Sequence, residues 1–258
     1  MTDVRFFAHR GSSARYPEHT RAAYRQAIDD GADGIECDVR LTGDGAVVCW
    51  HDATVTRTTG AKGRVDKYSL AELGRLDLLR GAVIPAAHGD AAEQLVTLPA
   101  LLALVESAGR PMLLAIELKP ARGSERRLVE AVLEILAAAG WDPATGRVGA
   151  VQVSLMAFSV PVITALLAHV PASLLVLLLE EETPKALALL EAGTVGAGPG
   201  VDEVRRRPDR VRSWIARGSH VRVWTVNTAE DLHFCLELGV RDIITDRPAE
   251  LRAALDGR

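Results

Sequence analysis

The stretch Asp33-Gly34-Ile35-Glu36-Cys37-Asp38-Val39 reads as a short strand buried on both faces. Side chains alternate along a strand, so Glu36 and Asp38 share one face while Ile35, Cys37 and Val39 take the other. Cys37 is thereby turned toward covering helices and away from any chemistry. Two like charges side by side inside a fold are costly unless a cation compensates them, most often a divalent metal held by oxygen ligands. The segment predicts a central strand and a metal site together.

Outward from it, short apolar runs alternate with stretches of helical period. Strands are predicted over 5–8, 33–39, 112–118, 148–154, 173–179, 194–197, 221–225 and 242–245. Helices are predicted over 21–30, 98–108, 124–139, 158–169, 184–192, 204–217, 229–238 and 248–255. Thr20 caps the first helix and Gly31 lies just past its end. The second strand is extended by 46–50 after the turn Thr42-Gly43-Asp44-Gly45, which is good hairpin chemistry. Eight strands, each followed by a helix, predict a parallel sheet with crossover helices. In 258 residues this fits a closed (β/α)8 TIM barrel better than an open doubly wound sheet, and no G-x-G-x-x-G follows the first strand. The segment from about 53 to 96, with a short helix near 70–79, breaks the rhythm. It reads as a small insertion after strand 2 of a single domain spanning 1–258. Gly196-Ala197-Gly198-Pro199-Gly200 reads as a plain loop.

Composition bounds the function. Hydrophobic residues make up 48% and mean hydropathy is +0.11, which argues for a well-buried globular chain rather than disorder. A net charge of −4 without a basic stripe gives no support to a nucleic-acid partner. Cys37, Cys49 and Cys235 are odd in number and sit in apolar contexts, as free thiols in a reducing compartment do. The amino terminus lacks a basic region followed by an apolar one, and the longest apolar run, 174–179, is too short to span a bilayer and ends in Glu180-Glu181-Glu182. A soluble cytoplasmic protein acting on a small molecule, without stable membrane insertion, is expected; the oligomeric state is left open.

In a TIM barrel the chemistry sits at the carboxyl ends of the strands. Strand 1 ends in His9-Arg10-Gly11, strand 2 carries Glu36 and Asp38, and its extension ends in His51-Asp52. Strand 3 ends in Glu117-Leu118-Lys119-Pro120, with Glu117 and Lys119 on one face, and strand 4 ends near Gln152 and Ser154. Strand 7 ends in Trp224-Thr225-Val226-Asn227 and strand 8 in Thr245-Asp246. Glu36, Asp38 and Glu117 supply three oxygen ligands for a hard cation, Mg²⁺ or Ca²⁺. Arg10 and Lys119 are fixed cations able to grip a phosphate, and His9 and His51 titrate near neutrality as an acid–base pair. Metal, cations and two imidazoles around one anion describe phosphoryl transfer. No glycine-rich loop ending in Lys-Ser/Thr is present, which argues against a nucleoside triphosphate substrate.

These residues resemble the glycerophosphodiester phosphodiesterase family. The likeness rests on Ala8-His9-Arg10-Gly11, Pro17-Glu18-His19-Thr20, Gly34-Ile35-Glu36-Cys37-Asp38-Val39, His51-Asp52 and Arg57-Thr58-Thr59-Gly60. It continues through Ile116-Glu117-Leu118-Lys119, Val223-Trp224-Thr225-Val226-Asn227 and Ile243-Ile244-Thr245-Asp246-Arg247-Pro248. The resemblance implies metal-dependent hydrolysis of glycerophosphodiesters to sn-glycerol 3-phosphate and an alcohol, in some members through a cyclic glycerophosphate. It implies a metal on Glu36, Asp38 and Glu117, the histidine pair at His9 and His51, Arg10 and Lys119 on the phosphate, and Trp224 beside the glycerol.

Two places depart from the family pattern. His19 stands where the family usually has Asn, so it either alters a hydrogen bond near the metal ligands or is a tolerated surface change. Ala86-Ala87-His88-Gly89-Asp90 precedes Leu98-Pro99-Ala100-Leu101 where the family more often reads Ile-Pro-Thr-Leu-Glu, and His88 reads as solvated loop. Two alternatives remain: the same core acting on lysolipids in a lysophospholipase D-type reaction, or a catalytically silent barrel that binds a phosphate ligand. Aromatics at 4% lean against the first, and the intact carboxylates and histidines lean against the second.

Overall fold

The computed structural model describes residues 4–180 and 183–257. Residues 1–3, which enter the argument about a leader, and Glu181 and Glu182, which close the longest apolar run, lie outside them. Ten strands are present among the described residues: β1 Arg5–His9, β2 Gly34–Leu41, β3 Val47–Cys49, β4 Met112–Leu118, β5 Arg147–Val148, β6 Val151–Ala157, β7 Leu175–Leu179, β8 Gly196–Pro199, β9 Arg222–Val223 and β10 Asp242–Thr245. Eight run parallel in the order β8-β7-β6-β4-β2-β1-β10-β9. The ring closes through the parallel bridges Ala197–Val221 and Gly200–Trp224 between the outermost strands. Helices separate successive barrel strands, as the TIM-barrel expectation requires. Among the described residues no helix is long and apolar enough to cross a membrane.

Alternation along each strand sorts the core into two layers. Outward residues such as Phe6, Ile35, Cys37, Ile116 and Leu155 pack under the helices, while Phe7, Ala115, Met156, Val176, Leu178 and Ile244 fill the barrel. Below that inner layer Arg222 lies 4.1 Å over the Phe7 ring and 3.2 Å from Asp242, which also receives Arg5 and His220 at 2.6 Å. The barrel's lower end is thus plugged, so only its carboxyl-end mouth is open to chemistry.

Three predicted elements change. The fourth barrel strand is Val151–Ala157 rather than 148–154, because Arg147 and Val148 turn back on it as an antiparallel arm. Gln152 therefore donates to the Thr145 carbonyl and Ser154 accepts from Arg222 deep inside, so neither lies at the rim. The stretch expected as a loop contains the barrel strand Gly196–Pro199. A Cβ on Gly198 would stand 2.5 Å from Leu178 Cδ2, so the strand carries glycine where the narrow interior has no room. The helix expected over 204–217 is two, Val201–Arg206 and Pro208–Ala216, broken where Pro208 cannot continue a helix.

The second strand's hairpin forms as expected, with Val39 opposite Cys49. Segment 53–96 folds against it around Trp50, Val48, Val55, Val65 and Leu73. His88 is not solvated loop: it is buried, edge-on to Tyr16 and 3.4 Å from Asp29, so it pins the insertion to the first helix, Arg21–Asp29.

Candidate active site

Glu36 and Asp38 point from β2 into the barrel, and register places Asp38 opposite Glu117 of β4. All three are buried, and one oxygen of each lies within 4.8 Å of the others. Burial, reinforced by Asp38 and Glu117, pushes the Glu36 carboxyl well above its ordinary range. Burial and Asp38 likewise raise Glu117, to about 8. Burial also opposes ionisation of Asp38, but a His19 hydrogen bond with the Lys119 and Arg10 charges holds it well below the ordinary range. Two proton-retaining carboxyls beside an ionised one mark a site short of positive charge. This hard, all-oxygen donor set fits Mg²⁺ or Ca²⁺, and Glu36, Asp38 and Glu117 are the residues that would hold it.

Two cations face the same cluster. Lys119 Nζ lies 2.5 Å from Glu117 Oε1 and 3.3 Å from Asp38 Oδ1. Arg10 follows β1 in a left-handed turn (φ 57°), completed by Gly11 at φ 85°. A Cβ on Gly11 would come within 2.5 Å of the Ala23 backbone, so only glycine lets this turn press on the first helix. The turn aims the Arg10 amide at Glu36 Oε2, 3.1 Å away. Arg10 Nε is 3.1 Å from Asp38 Oδ2 but not aligned with it, which leaves a buried donor without a hydrogen-bond acceptor.

Each histidine is oriented by a carboxylate. His9 Nδ1 meets Asp246 Oδ1 at 2.7 Å, and His51 Nδ1 meets Asp52 Oδ1 at 2.6 Å. The Arg57 hydrogen bond, with that of His51, lowers Asp52 to about 2. Burial opposes ionisation of Asp246, yet bonds from His9, Ser13 and Asn227 bring it also to about 2. An ionised carboxylate only accepts, so each imidazole carries its proton on Nδ1. Nε2 of both rings is left without a protein hydrogen bond among the described residues. Burial and the Lys119 and Arg10 charges depress the His51 pKa against the opposing influence of Asp38 and Asp52.

His9, Arg10, Glu36, His51, Glu117 and Lys119 form the polar half of one mouth cavity of about 270 Å³, with Asp38 behind them. Met156, Phe158, Leu178, Ile244 and Trp224 form its apolar half. Trp224 is held there by its indole N–H on the Gly198 carbonyl (2.8 Å) and by the edge of Phe158. All eight residues assigned from the sequence to a metal, phosphate, glycerol or proton-transfer role therefore converge on one place. Sequence reasoning did not assign Asp52, Asp246 or Arg57, which bridges Glu18 and Asp52. The adjacency of His51 and Asp52 was the available signal for one of them.

His19 belongs to the site rather than the surface. It is buried at φ 59°, with Nε2 2.9 Å from Asp38 Oδ2 and Nδ1 2.7 Å from the Tyr24 hydroxyl. Asp38 is ionised, so Nε2 donates to it and Nδ1 accepts from Tyr24. We expect His19→Ala to weaken divalent-metal binding by about 10–100-fold, the usual cost of losing a ligand's supporting partner. His19→Asn should retain most of the affinity, since Asn tolerates positive φ and can donate the same bond. Metal titration by calorimetry decides this, and equal affinities in all three proteins would refute the role.

Comparison with known proteins now meets this geometry. Residues 9–250 match the family model of the glycerophosphoryl diester phosphodiesterase family. The chain belongs to that family. It is 39% identical over 261 residues to probable glycerophosphodiester phosphodiesterase 1 of Mycobacterium tuberculosis, covering 97% of this chain and 92% of that one. It is 32% identical over 248 residues to the glycerophosphodiester phosphodiesterase of Caldanaerobacter subterraneus, covering 95% and 94%. An Oleispira antarctica phosphodiesterase solved with its product sn-glycerol-3-phosphate superposes with a TM-score of 0.78 at 26% identity, over 98% of this chain and 96% of that one. This family member is therefore an enzyme, a phosphodiesterase on a (β/α)8 barrel.

Proposed function

We propose that this phosphodiesterase hydrolyses glycerophosphodiesters to sn-glycerol 3-phosphate and an alcohol, with Glu36, Asp38 and Glu117 holding a divalent metal and His9 and His51 moving protons. The observation that carries this reading is the pair of imidazoles whose Nδ1–H groups are tied to ionised carboxylates beside a charge-deficient carboxylate trio. A bound divalent cation would supply Lewis-acid charge for a phosphate oxygen. The unaligned Nε–H of Arg10 and the ammonium of Lys119 offer further charge to the same group.

His51, depressed and therefore neutral near pH 7, takes the proton of the attacking hydroxyl on Nε2. His9, when protonated on both nitrogens, keeps its Nδ1–H on Asp246 and delivers the Nε2 proton to the departing alcohol oxygen as the P–O bond to that alcohol breaks. Trp224 and its apolar neighbours cover the carbon skeleton. Of large hydrophobic residues only Val83 and Phe158 are exposed among the described residues, which gives an acyl chain little surface and favours water-soluble diesters. The buried free thiols of Cys37, Cys49 and Cys235 support action in a reducing, cytoplasmic compartment.

The test is purified protein with glycerophosphocholine and either Mg²⁺ or Ca²⁺, with glycerol 3-phosphate measured by a coupled dehydrogenase and lysophosphatidylcholine run in parallel. Release of glycerol 3-phosphate that stops on chelation is expected. No release with either metal, or preference for the lysolipid, would overturn the assignment.

A further inference from the structure

A second cavity, of about 250 Å³, lies between the β2 hairpin, residues 64–67 of the insertion and residues 121–127 at the start of the helix that follows β4. Arg40, Arg64, Lys67, Arg122 and Arg127 line it, against the single acid Asp66. Asp66 is taken by Arg64 at 2.9 Å. Lys67, Arg122 and Arg127 make no ion pair among the described residues. This concentration of cations stands out in a chain whose net charge is −4. Gathering like charges around one concavity is unfavourable by itself and focuses a positive potential there. The helix Glu125–Ala138 also begins at this cavity, and its N-cap residue Ser124 spends its hydroxyl on the Ala121 carbonyl instead of capping it. Backbone donors at that end add to the field an anion would meet.

Arg40 joins this cavity to the catalytic one. Its Nε donates to the His51 carbonyl at 2.7 Å and its Nη1 to the Lys119 carbonyl at 2.9 Å. The guanidinium thus lines the second cavity while being held by the chain segments that carry His51 and Lys119.

We propose that this cavity is a second anion site that binds a phosphate group, separate from the phosphate hydrolysed in the barrel mouth. Its volume is close to that of the catalytic cavity and has room for inorganic phosphate or a small phosphate ester. Arginine forks suit phosphate oxygens in a way that lysine alone does not. The phosphate is either a free ligand or a second phosphate borne on the alcohol of the substrate.

Equilibrium dialysis of the full chain against labelled inorganic phosphate at low salt tests the site directly. Two equivalents per chain are expected, one lost in Arg10→Ala and the other in Arg122→Glu/Arg127→Glu. Retained turnover of glycerophosphocholine in the double variant reports its fold, and the milder Arg127→Gln serves if it does not fold. A KM increase in the variant confined to a diester with a second phosphate identifies the substrate as the source. An unchanged KM with the equivalent lost identifies free phosphate. The same number of equivalents in the wild type and the charge-reversed protein overturns the site, and an equivalent lost there but kept in Arg10→Ala supports it whatever the mouth binds. The dialysis needs no turnover, so it stands or fails apart from the hydrolytic assignment.

Discussion

His51→Ala is expected to lower kcat for glycerophosphocholine by about 10²–10⁴-fold, the usual worth of a positioned general base, with little change in the melting temperature. The imidazole is held at one end by Asp52 and is partly open to the cavity at the other, so its removal costs chemistry rather than packing. The pH profile should carry the same signature. Burial and the neighbouring cations place the His51 pKa below the ordinary 6.5, so the acid limb of kcat/KM should lie below that value. Protonation blocks the base, hence activity falls as pH drops through the limb. Asp52 acts in the opposite direction on His51, so Asp52→Asn should move the limb to still lower pH while reducing turnover through loss of the anchored tautomer. A His51→Ala enzyme within a few-fold of wild type, or an acid limb above 6.5, would remove His51 from this role.

Glu36→Gln should cut turnover by about 10²–10³-fold or more and yet leave the metal-free protein more stable than wild type. The first effect follows from losing one of three ligands beside the phosphate. The second follows from burial and like charge, which make ionised Glu36 unfavourable in the fold. Glu117 gives the pH dependence of the metal-free protein its sign. In the folded chain its carboxyl holds a proton up to about 8, against 4.5 when unfolded, so that contribution is complete below 4.5 and is lost as pH rises toward 8. Metal-free protein should therefore lose melting temperature over that window. Added Mg²⁺ or Ca²⁺ should restore it at pH 8 in the wild type and fail to do so in Glu36→Gln. Calorimetric melts of both proteins with and without metal decide the point; a metal-induced shift that survives in Glu36→Gln would sink the ligand assignment.

The barrel was legible because β-α alternation and strand parity are local. Ile35, Cys37 and Val39 had to face one way and Glu36 and Asp38 the other, whatever lay around them. Boundaries were legible where a cap spoke, as at Thr20, and slipped elsewhere, at Pro208 despite the breaker there. β6 starts three residues late because its neighbouring arm turns back on it, and the glycine-rich β8 earns its place in the sheet through the width of the barrel.

By itself, the sequence determined the element order, the catalytic face and the eight residues that meet at the mouth, since all of these follow from alternation and from the types of the strand-end residues. Only the tertiary structure decided that His19 grips Asp38, that Asp246 holds the imidazole of His9, and that Arg40 bonds the His51 and Lys119 carbonyls from a second, cationic cavity. Those relations join His9 to Asp246 where the first strand pairs with the last, and His19 to Asp38 across a turn in the left-handed region. Side-chain hydrogen bonds of this kind depend on distances of a few ångströms between segments far apart in the chain, and no local periodicity encodes them.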